Sequence, residues 1–170
     1  MSNANAARIV VAALSLSAAA FVGRVAHEGF TTEAVIPTKG DVPTVGFGMT
    51  KRPDGSPVRM GDRTTPVEAL QRSLVHLQRD EAALKGCVKV PLSQPEYDML
   101  IDHAYQYGVG RTCNSSMVRL TNQEKYAEAC KAYLEWRFMG TFDCATPGNK
   151  QCGGVWKDAQ RRERICTEAQ

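Results

Sequence analysis

An uncharged stretch near the amino terminus, residues 9–23, places the strongest constraint on this chain. Arg8 precedes the stretch and Arg24 follows it, so a positive charge bounds each end. As a helix it would extend roughly 22 Å at about 1.5 Å per residue, against about 30 Å of bilayer hydrocarbon. Because it is also rich in alanine and serine, it is short and only mildly apolar for a permanent membrane span. We therefore expect residues 1–26 to be an export segment and residues 27–170 to be the folded body.

Export of this kind takes two forms. A cleaved secretory signal would be cut near Ala18 to Ala20, which have the small side chains of a cleavage site. An uncleaved signal anchor would instead form an N-terminal hydrophobic helix that tethers the chain to the inner membrane and later leaves it. A buried alanine-rich helix of a cytosolic domain is the third alternative. We expect export to the periplasm with initial tethering, because the segment lies at the extreme terminus behind a single arginine.

The body of the chain has the composition of a globular domain and a nearly balanced charge. Of the 170 residues, 43% are hydrophobic and 23% are charged, which argues against a disordered chain or a polytopic membrane protein. The formal net charge is +3, and two of the 21 basic residues lie in the export segment, which has no acid. The body therefore has 19 basic and 18 acidic side chains, so no nucleic-acid partner is expected.

Local patterns predict an α+β body that is predominantly helical with one small β-sheet. Thr44 to Phe47 is predicted to be a short strand, and Val58 to Met60 its return strand. Capping boxes predict helices that begin after Thr65 and after Ser93. Further predicted elements are helices near 116–120, 123–136 and 157–167, and a loop or hairpin over 138–154.

The cysteines are predicted to form disulfides. They are Cys87, Cys113, Cys130, Cys144, Cys152 and Cys166. Neither a C-x-x-C spacing nor a nearby histidine indicates zinc, so no metal is expected. Disulfides persist in oxidising compartments, and six cysteines allow 15 pairings. We predict Cys144–Cys152 closing a loop, Cys113–Cys130 within a helical hairpin, and Cys87–Cys166 tying the last helix to the middle of the chain.

A glutamate at the end of the first predicted helix is the strongest candidate for acid chemistry. Glu28 lies between the apolar segment and Phe30, and Thr44 opens a glycine-rich strand 16 residues later. Apolar surroundings favour the neutral form of a carboxylic acid, which can then donate a proton to a glycosidic leaving oxygen. An ordinary surface glutamate is the alternative.

The order Glu28-Gly29 followed by Thr44-Val-Gly-Phe-Gly resembles the active-site region of the phage-type lysozymes, the muramidase endolysins. The resemblance covers about residues 27–137. It implies a lysozyme-like fold with a small β-sheet near the active site, and no cofactor. It also implies hydrolysis of the β-1,4 bond between N-acetylmuramic acid and N-acetylglucosamine in bacterial peptidoglycan, which lyses the host cell. The apolar amino terminus is similar to that of signal-anchor-release endolysins, which are inactive while tethered.

The resemblance also implies roles for individual residues. Glu28 is expected to be the catalytic acid. Tyr105 and Gln106 match an aromatic-Gln pair beside the cleft and are expected to bind sugar, with a core position as the alternative for Tyr105. The family places a basic residue of the last helix against the glutamate. Candidates for that residue are Lys157, Arg161 and Arg162.

One departure from the family concerns the second catalytic group. The family has an aspartate between the glutamate and the threonine, and the interval here is one residue longer. The aspartate position therefore falls on Pro37 or Thr38, whereas the nearest carboxylate is Asp41. We expect Asp41 and Thr44 to position water and charge. Thr38 with Thr44 is the alternative, and Glu33 is a third candidate.

Two other functions are consistent with these residues. A lytic transglycosylase needs a single acid and releases an anhydro sugar. A membrane-tethered peptidoglycan-binding module would have the same fold without activity. We expect the hydrolase, as a monomer.

Overall fold

The computed structural model describes residues 7–37 and 40–170. These residues form two compact units. One comprises residues 16–79, and the other comprises residues 80–170 together with the N-terminal residues through Ser15.

The unit formed by residues 16–79 begins with helix α1, Ala18–Glu28. Ser17 caps α1, because its hydroxyl accepts a 3.0 Å hydrogen bond from the N–H of Ala20. Strand β1, Thr31–Val35, then pairs antiparallel with β2, Thr44–Gly46, with an irregular register between its two ends. The helix thus leads directly into the two-stranded sheet that carries the glycine-rich sequence.

The pairing partner of β2 differs from the prediction. Val58 to Met60 is not a strand, and β1 pairs with β2 instead. Val58 donates from its N–H to the carbonyl of Thr50 at 2.9 Å, a bond that lies outside both strands. Its side chain instead packs with Ala34 and Val45 in a small buried cluster.

Helix α2, Pro66–Cys87, begins at the predicted capping box. The N–H of Thr65 donates to Oε2 of Glu68 at 2.9 Å, and the N–H of Glu68 donates to Oγ1 of Thr65 at 3.3 Å. The first turns of α2 approach β2 closely. A Cβ atom on Gly46 would lie 2.8 Å from the Cβ of Ala69, so only glycine fits at this contact.

The second unit is built mainly from helices. Its core includes Tyr97, Ile101, Met117 and Tyr133, each at most 2% exposed. The predicted helix over 123–136 is a short α-helix followed by a 3₁₀ turn, and the predicted hairpin is present. The elements are α3 Gln94–Tyr107, α4 Val109–Cys113, α5 Ser116–Thr121, α6 Tyr126–Lys131, a 3₁₀ turn Ala132–Glu135, β3 Phe138–Met139, β4 Phe142–Asp143 and α7 Gly153–Glu168.

The first residues of the apolar stretch belong to this second unit. Ile9 and Leu92 exchange two backbone hydrogen bonds of 2.9 Å each. A 3₁₀ turn covers Val11–Ala13, and Val11 and Leu14 are 7% and 3% exposed.

The stretch is therefore not the continuous N-terminal hydrophobic helix that we expected. Only residues 18–23 of the stretch are α-helical, because the chain is extended at Leu14 and Ser17 starts a new helix. Within residues 7–37 and 40–170, none of the helices combines the length and hydrophobicity that crossing a bilayer requires.

The six cysteines form three disulfides. Cys144–Cys152 is confirmed, whereas Cys87–Cys166 and Cys113–Cys130 are wrong. The observed bonds are Cys87–Cys113 and Cys130–Cys166, with Cα–Cα distances of 5.7 and 5.4 Å. The pairing follows helix packing, because α6 lies against α7 and brings Cys130 to Cys166.

Candidate active site

Glu28 occupies the last position of α1, where Gly29 ends the helix with φ of +69°. Its side chain is 25% exposed and forms an ion pair with Arg24, one helical turn earlier. The Arg24 side chain is 5% exposed, so the charge that holds the carboxylate is itself largely buried. This part-buried, charge-assisted hydrogen bond fixes the orientation of Glu28. It binds the charged form of the carboxyl group, whereas the sequence pattern predicted apolar surroundings.

The other side of the Glu28 carboxylate faces the turn after β2. A Cβ atom on Gly48 would lie 2.8 Å from Oε2 of Glu28, and Gly48 has φ of +72°. The glycine thus allows the close approach and adopts a backbone conformation that other residues rarely take. The rings of Phe30 and Phe47, which are close to Glu28 and Gly48 in sequence, have centroids 5.4 Å apart.

The candidates for the second catalytic group lie before and at the start of β2. Thr44 faces Val35 across the sheet, and its hydroxyl donates to the carbonyl of Val35 at 3.4 Å. Asp41 is exposed in the loop between the strands, where Oδ1 accepts from the N–H of Val42 at 2.8 Å. Thr38 lies outside the described residues. Glu33 forms an exposed ion pair with Arg63 at 2.9 Å.

The predicted sugar-binding pair lies in the last turn of α3, in the second unit. Tyr105 and Gln106 are both half-buried. Oε1 of Gln106 accepts a 2.6 Å hydrogen bond from Nη2 of Arg162.

The arginines of the last helix bind an acid that the sequence patterns do not single out. Nη2 of Arg161 and Nε of Arg162 both donate to Oδ2 of Asp102, at 2.7 and 2.5 Å. Arg162 is completely buried, whereas Lys157 is exposed.

The basic partner found for Glu28 is instead Arg24, on the same helix. Its i, i+4 spacing from Glu28 is the signal that could have identified this pair, although we interpret Arg24 from the sequence only as the boundary of the apolar stretch.

A buried histidine lies one residue after Asp102. Nδ1 of His103 is 2.8 Å from Oγ1 of Thr112, which itself donates to the carbonyl of Gly108. Burial lowers the pKa of His103 to about 3, and the nearby Arg162 charge contributes to the lowering. The ring is therefore neutral at physiological pH and packs against Trp136 with centroids 4.3 Å apart. Within residues 7–37 and 40–170, no three His, Cys, Asp or Glu side chains converge as metal ligands do.

Comparison with known proteins places this fold in one class. The structure is similar to an endolysin from Escherichia coli O157:H7 phage FAHEc1, with a TM-score of 0.76 and 24% identity over 91% of this chain and 94% of that one. It is also similar to a P22 lysozyme mutant, with a TM-score of 0.71 and 24% identity over 89% and 97% of the two chains. Both likenesses show the lysozyme-like fold, predominantly helical with small sheets.

Sequence comparison identifies the family. The family model of phage lysozyme matches residues 25–162, so the chain belongs to the phage lysozyme family. It is 32% identical to the endolysin of Salmonella phage P22 over 114 residues, which are 67% of this chain and 77% of the relative. It is 36% identical to a SAR-endolysin of Pseudomonas phage phiKMV over 120 residues, 70% of each chain. The protein is accordingly a glycoside hydrolase, a muramidase of the endolysin type.

Proposed function

We propose that Glu28 is the general acid with which this muramidase cleaves the β-1,4 bond between N-acetylmuramic acid and N-acetylglucosamine. The observation that carries the proposal is the confinement of its carboxyl group between Arg24 and Gly48. A proton donor must be held in one geometry to reach the glycosidic oxygen, and this glutamate is held from both sides.

Asp41 and Thr44 supply the second half of the reaction. Glu28 gives its proton to the leaving oxygen, and a water molecule attacks the anomeric carbon while losing a proton to the Asp41 carboxylate. The Thr44 hydroxyl donates to Val35, so its oxygen lone pairs remain to accept a hydrogen bond from that water. Exposed Asp41 is accessible to such a water. Tyr105 and Gln106 bind sugar units by stacking and hydrogen bonding.

Analysis of reaction products tests this function. Purified peptidoglycan would be digested with the protein, and the fragments identified by mass spectrometry with and without borohydride reduction. Hydrolysis yields reducing N-acetylmuramic acid ends, which gain two hydrogens on reduction. Fragments that borohydride leaves unchanged, with anhydromuramyl ends, would show a lytic transglycosylase. Intact peptidoglycan that nevertheless retains bound protein would show a binding module.

The transglycosylase remains the second candidate because of one specific feature. Pro37 and Thr38, the residues at the family's aspartate position, have no carboxylate. A transglycosylase needs no base for water, so it would require Glu28 alone. Replacement of Asp41 by Asn would then leave turnover unchanged.

Residues 1–26 are proposed to be an uncleaved export segment, and residues 27–170 the catalytic domain of the mature protein in the periplasm of the host. Retention of the segment is supported by its packing. Arg8 donates to Glu96 at 2.7 Å and to Oε1 of Gln170 at 2.7 Å, and its guanidinium lies 3.7 Å from the ring centroid of Tyr126. Cleavage after Ala20 would remove these contacts. The name of the phiKMV relative, a SAR-endolysin, agrees with initial tethering to the inner membrane.

Intact-mass measurement tests whether the segment is retained. Protein from lysed host cells is expected to carry its first 20 residues, and their loss would contradict the uncleaved anchor. Ser15→Leu tests tethering, because Ser15 is exposed and the bond from Gln94 is accepted by its backbone carbonyl, which the substitution keeps. A more hydrophobic segment should stay longer in the membrane and delay lysis. Ala12→Ser, at another exposed position, makes the segment less hydrophobic and should make lysis begin earlier. Unchanged lysis timing in both variants would argue against tethering.

A further inference from the structure

A chain of buried polar contacts connects α7 to the proposed sugar-binding residue on α3. Nη2 of Arg162 donates to Oε1 of Gln106 at 2.6 Å, and Nε of the same guanidinium donates to Oδ2 of Asp102 at 2.5 Å. Arg162 is 0% exposed and Asp102 is 7% exposed, so neither side chain can rotate toward solvent. Asp102 therefore fixes Arg162, and Arg162 in turn meets Gln106.

The guanidinium determines which end of the Gln106 amide points toward it. A guanidinium has five N–H donors and no acceptor, so it bonds only to the amide oxygen. If the amide were flipped, its NH₂ group would face these donors, and the hydrogen bond would be replaced by repulsion. The NH₂ group of Gln106 is therefore directed away from Arg162. Gln106 as a whole is half-buried, so it is not sealed inside the core.

Charge neutralisation of Asp102 alone does not account for Arg162. Arg161 already donates to the same Oδ2 atom at 2.7 Å, so Asp102 has a cationic partner without it. In the described part of the chain, Nη1 of Arg162 is buried without a hydrogen-bond partner. A buried donor without a partner is destabilising. Besides the ion pair, the Arg162 guanidinium donates to Gln106 and lies 5.8 Å from the ring centroid of Tyr107, so its contacts extend beyond Asp102.

We propose that Arg162 is a positioning residue that fixes Gln106 as a hydrogen-bond donor to the substrate. The group that Gln106 recognises is then an acceptor oxygen, such as the carbonyl of an acetamido group or a sugar hydroxyl oxygen. The inference rests on the proposed role of Gln106 in sugar binding. Arg162 touches no substrate in this account and acts only through the orientation of the amide.

A double-mutant cycle on KM tests the positioning role. The substrate is soluble peptidoglycan strands, and the variants are Gln106→Ala, Arg162→Met and the combination of both. We expect each single variant to raise KM roughly tenfold with kcat changed by less than about threefold. Arg162→Met should raise KM no further once Gln106 is alanine, because its effect passes through that side chain. Arg161→Met is the matched control, which removes a cation from Asp102 without contacting Gln106, and its KM should stay within about twofold of wild type.

The same cycle separates the failure of this inference from that of the sugar-binding role. A wild-type KM in Gln106→Ala overturns both. A raised KM in Gln106→Ala with independent effects of the two changes, or with an equal effect of Arg161→Met, overturns the positioning role alone.

A second variant keeps the inference testable if Arg162→Met does not fold. In Gln106→Glu, one carboxylate oxygen can still accept from Arg162, while the other presents an acceptor where the amide presents donors. We expect a normal unfolding temperature and a KM raised at least as much as in Gln106→Ala. An unchanged KM in Gln106→Glu would overturn the assignment of Gln106 as a donor.

Discussion

Gly48 lies so close to Glu28 that a Cβ atom on the glycine would be 2.8 Å from Oε2 of the glutamate. The glycine-rich sequence after Thr44 therefore provides room for the proposed catalytic carboxyl group. Its φ of +72° adds a second reason for glycine, because L side chains are disfavoured there.

Gly48→Ala should therefore reduce activity by more than its effect on stability explains. Left-handed backbone strain costs about 1–2 kcal/mol, and the new methyl group displaces the Glu28 carboxyl group as well. Gly55→Ala is the matched control, because Gly55 has φ of +85° and a Cβ atom there would meet no other atom within 4 Å. We expect similar losses of unfolding free energy in urea but a muramidase rate at least about tenfold lower for Gly48→Ala only. Equal rates in the two variants would show that the contact is unimportant.

Stability should fall with decreasing pH because of His103. Burial lowers the pKa of this ring to about 3 in the folded protein, whereas the unfolded chain binds the proton below about 6.5. The unfolded state therefore gains protons first, and the free energy of unfolding decreases between about pH 6.5 and 3, by at most about 1.4 kcal/mol per pH unit.

His103→Phe should flatten this dependence, since phenylalanine fills a similar ring-shaped space and does not titrate. Urea unfolding at pH 7 and pH 5 measures the difference. The pH 5 deficit should be clearly smaller in the variant than in wild type, and an identical deficit would assign the pH dependence to other groups.

The disulfides should contribute unequally to stability. Cys130–Cys166 spans 36 residues and Cys144–Cys152 spans 8, so the chain-entropy model gives about 4 and about 2.5 kcal/mol. Paired replacement of each bond by serines, followed by urea unfolding, should show the larger loss for Cys130–Cys166. Non-reducing peptide mapping should recover that bond together with Cys87–Cys113. Recovery of a Cys87–Cys166 peptide would contradict the observed packing.

The second catalytic group is predicted to be Asp41. Asp41→Asn keeps the size of the side chain but removes the charge that would accept the proton from water. We expect the hydrolysis rate to fall by about 10²-fold or more. Thr38→Ala should leave the rate within about twofold of wild type, and the opposite result would assign the role to Thr38.

Much of the fold was predictable because the decisive signals are local. Thr65 with Glu68 and Ser93 with Glu96 form the capping boxes that their spacing indicated. The Cys144–Cys152 loop is closed by cysteines only 8 residues apart, so chain connectivity alone brings them together.

The remaining features depend on contacts that sequence spacing does not encode. Which partner Cys130 takes depends on how α6 packs against α7. The pairing of β2 with β1 rather than with Val58 to Met60 depends on tertiary packing as well, since both segments are near β2 in sequence.

The apolar stretch gave no indication that Ile9 would pair with Leu92, because that bridge joins residues far apart in the chain. The buried Asp102 is one of several acids in the chain, and only the structure brings Arg161 and Arg162 to it.

The central claim, that Glu28 is the catalytic acid, is tested most directly by the lytic rate of Glu28→Gln. Glutamine preserves the size of the side chain and can still accept a hydrogen bond from Arg24, but it has no proton to transfer. Glu163→Gln makes the same chemical change on α7 and serves as the control. We predict that Glu28→Gln lowers the rate on purified cell walls by at least about 10²-fold, with an unchanged circular dichroism spectrum, while the control retains full activity. Retention of more than about a tenth of the wild-type rate by Glu28→Gln would contradict the account, because general acid catalysis contributes about 10²- to 10⁴-fold.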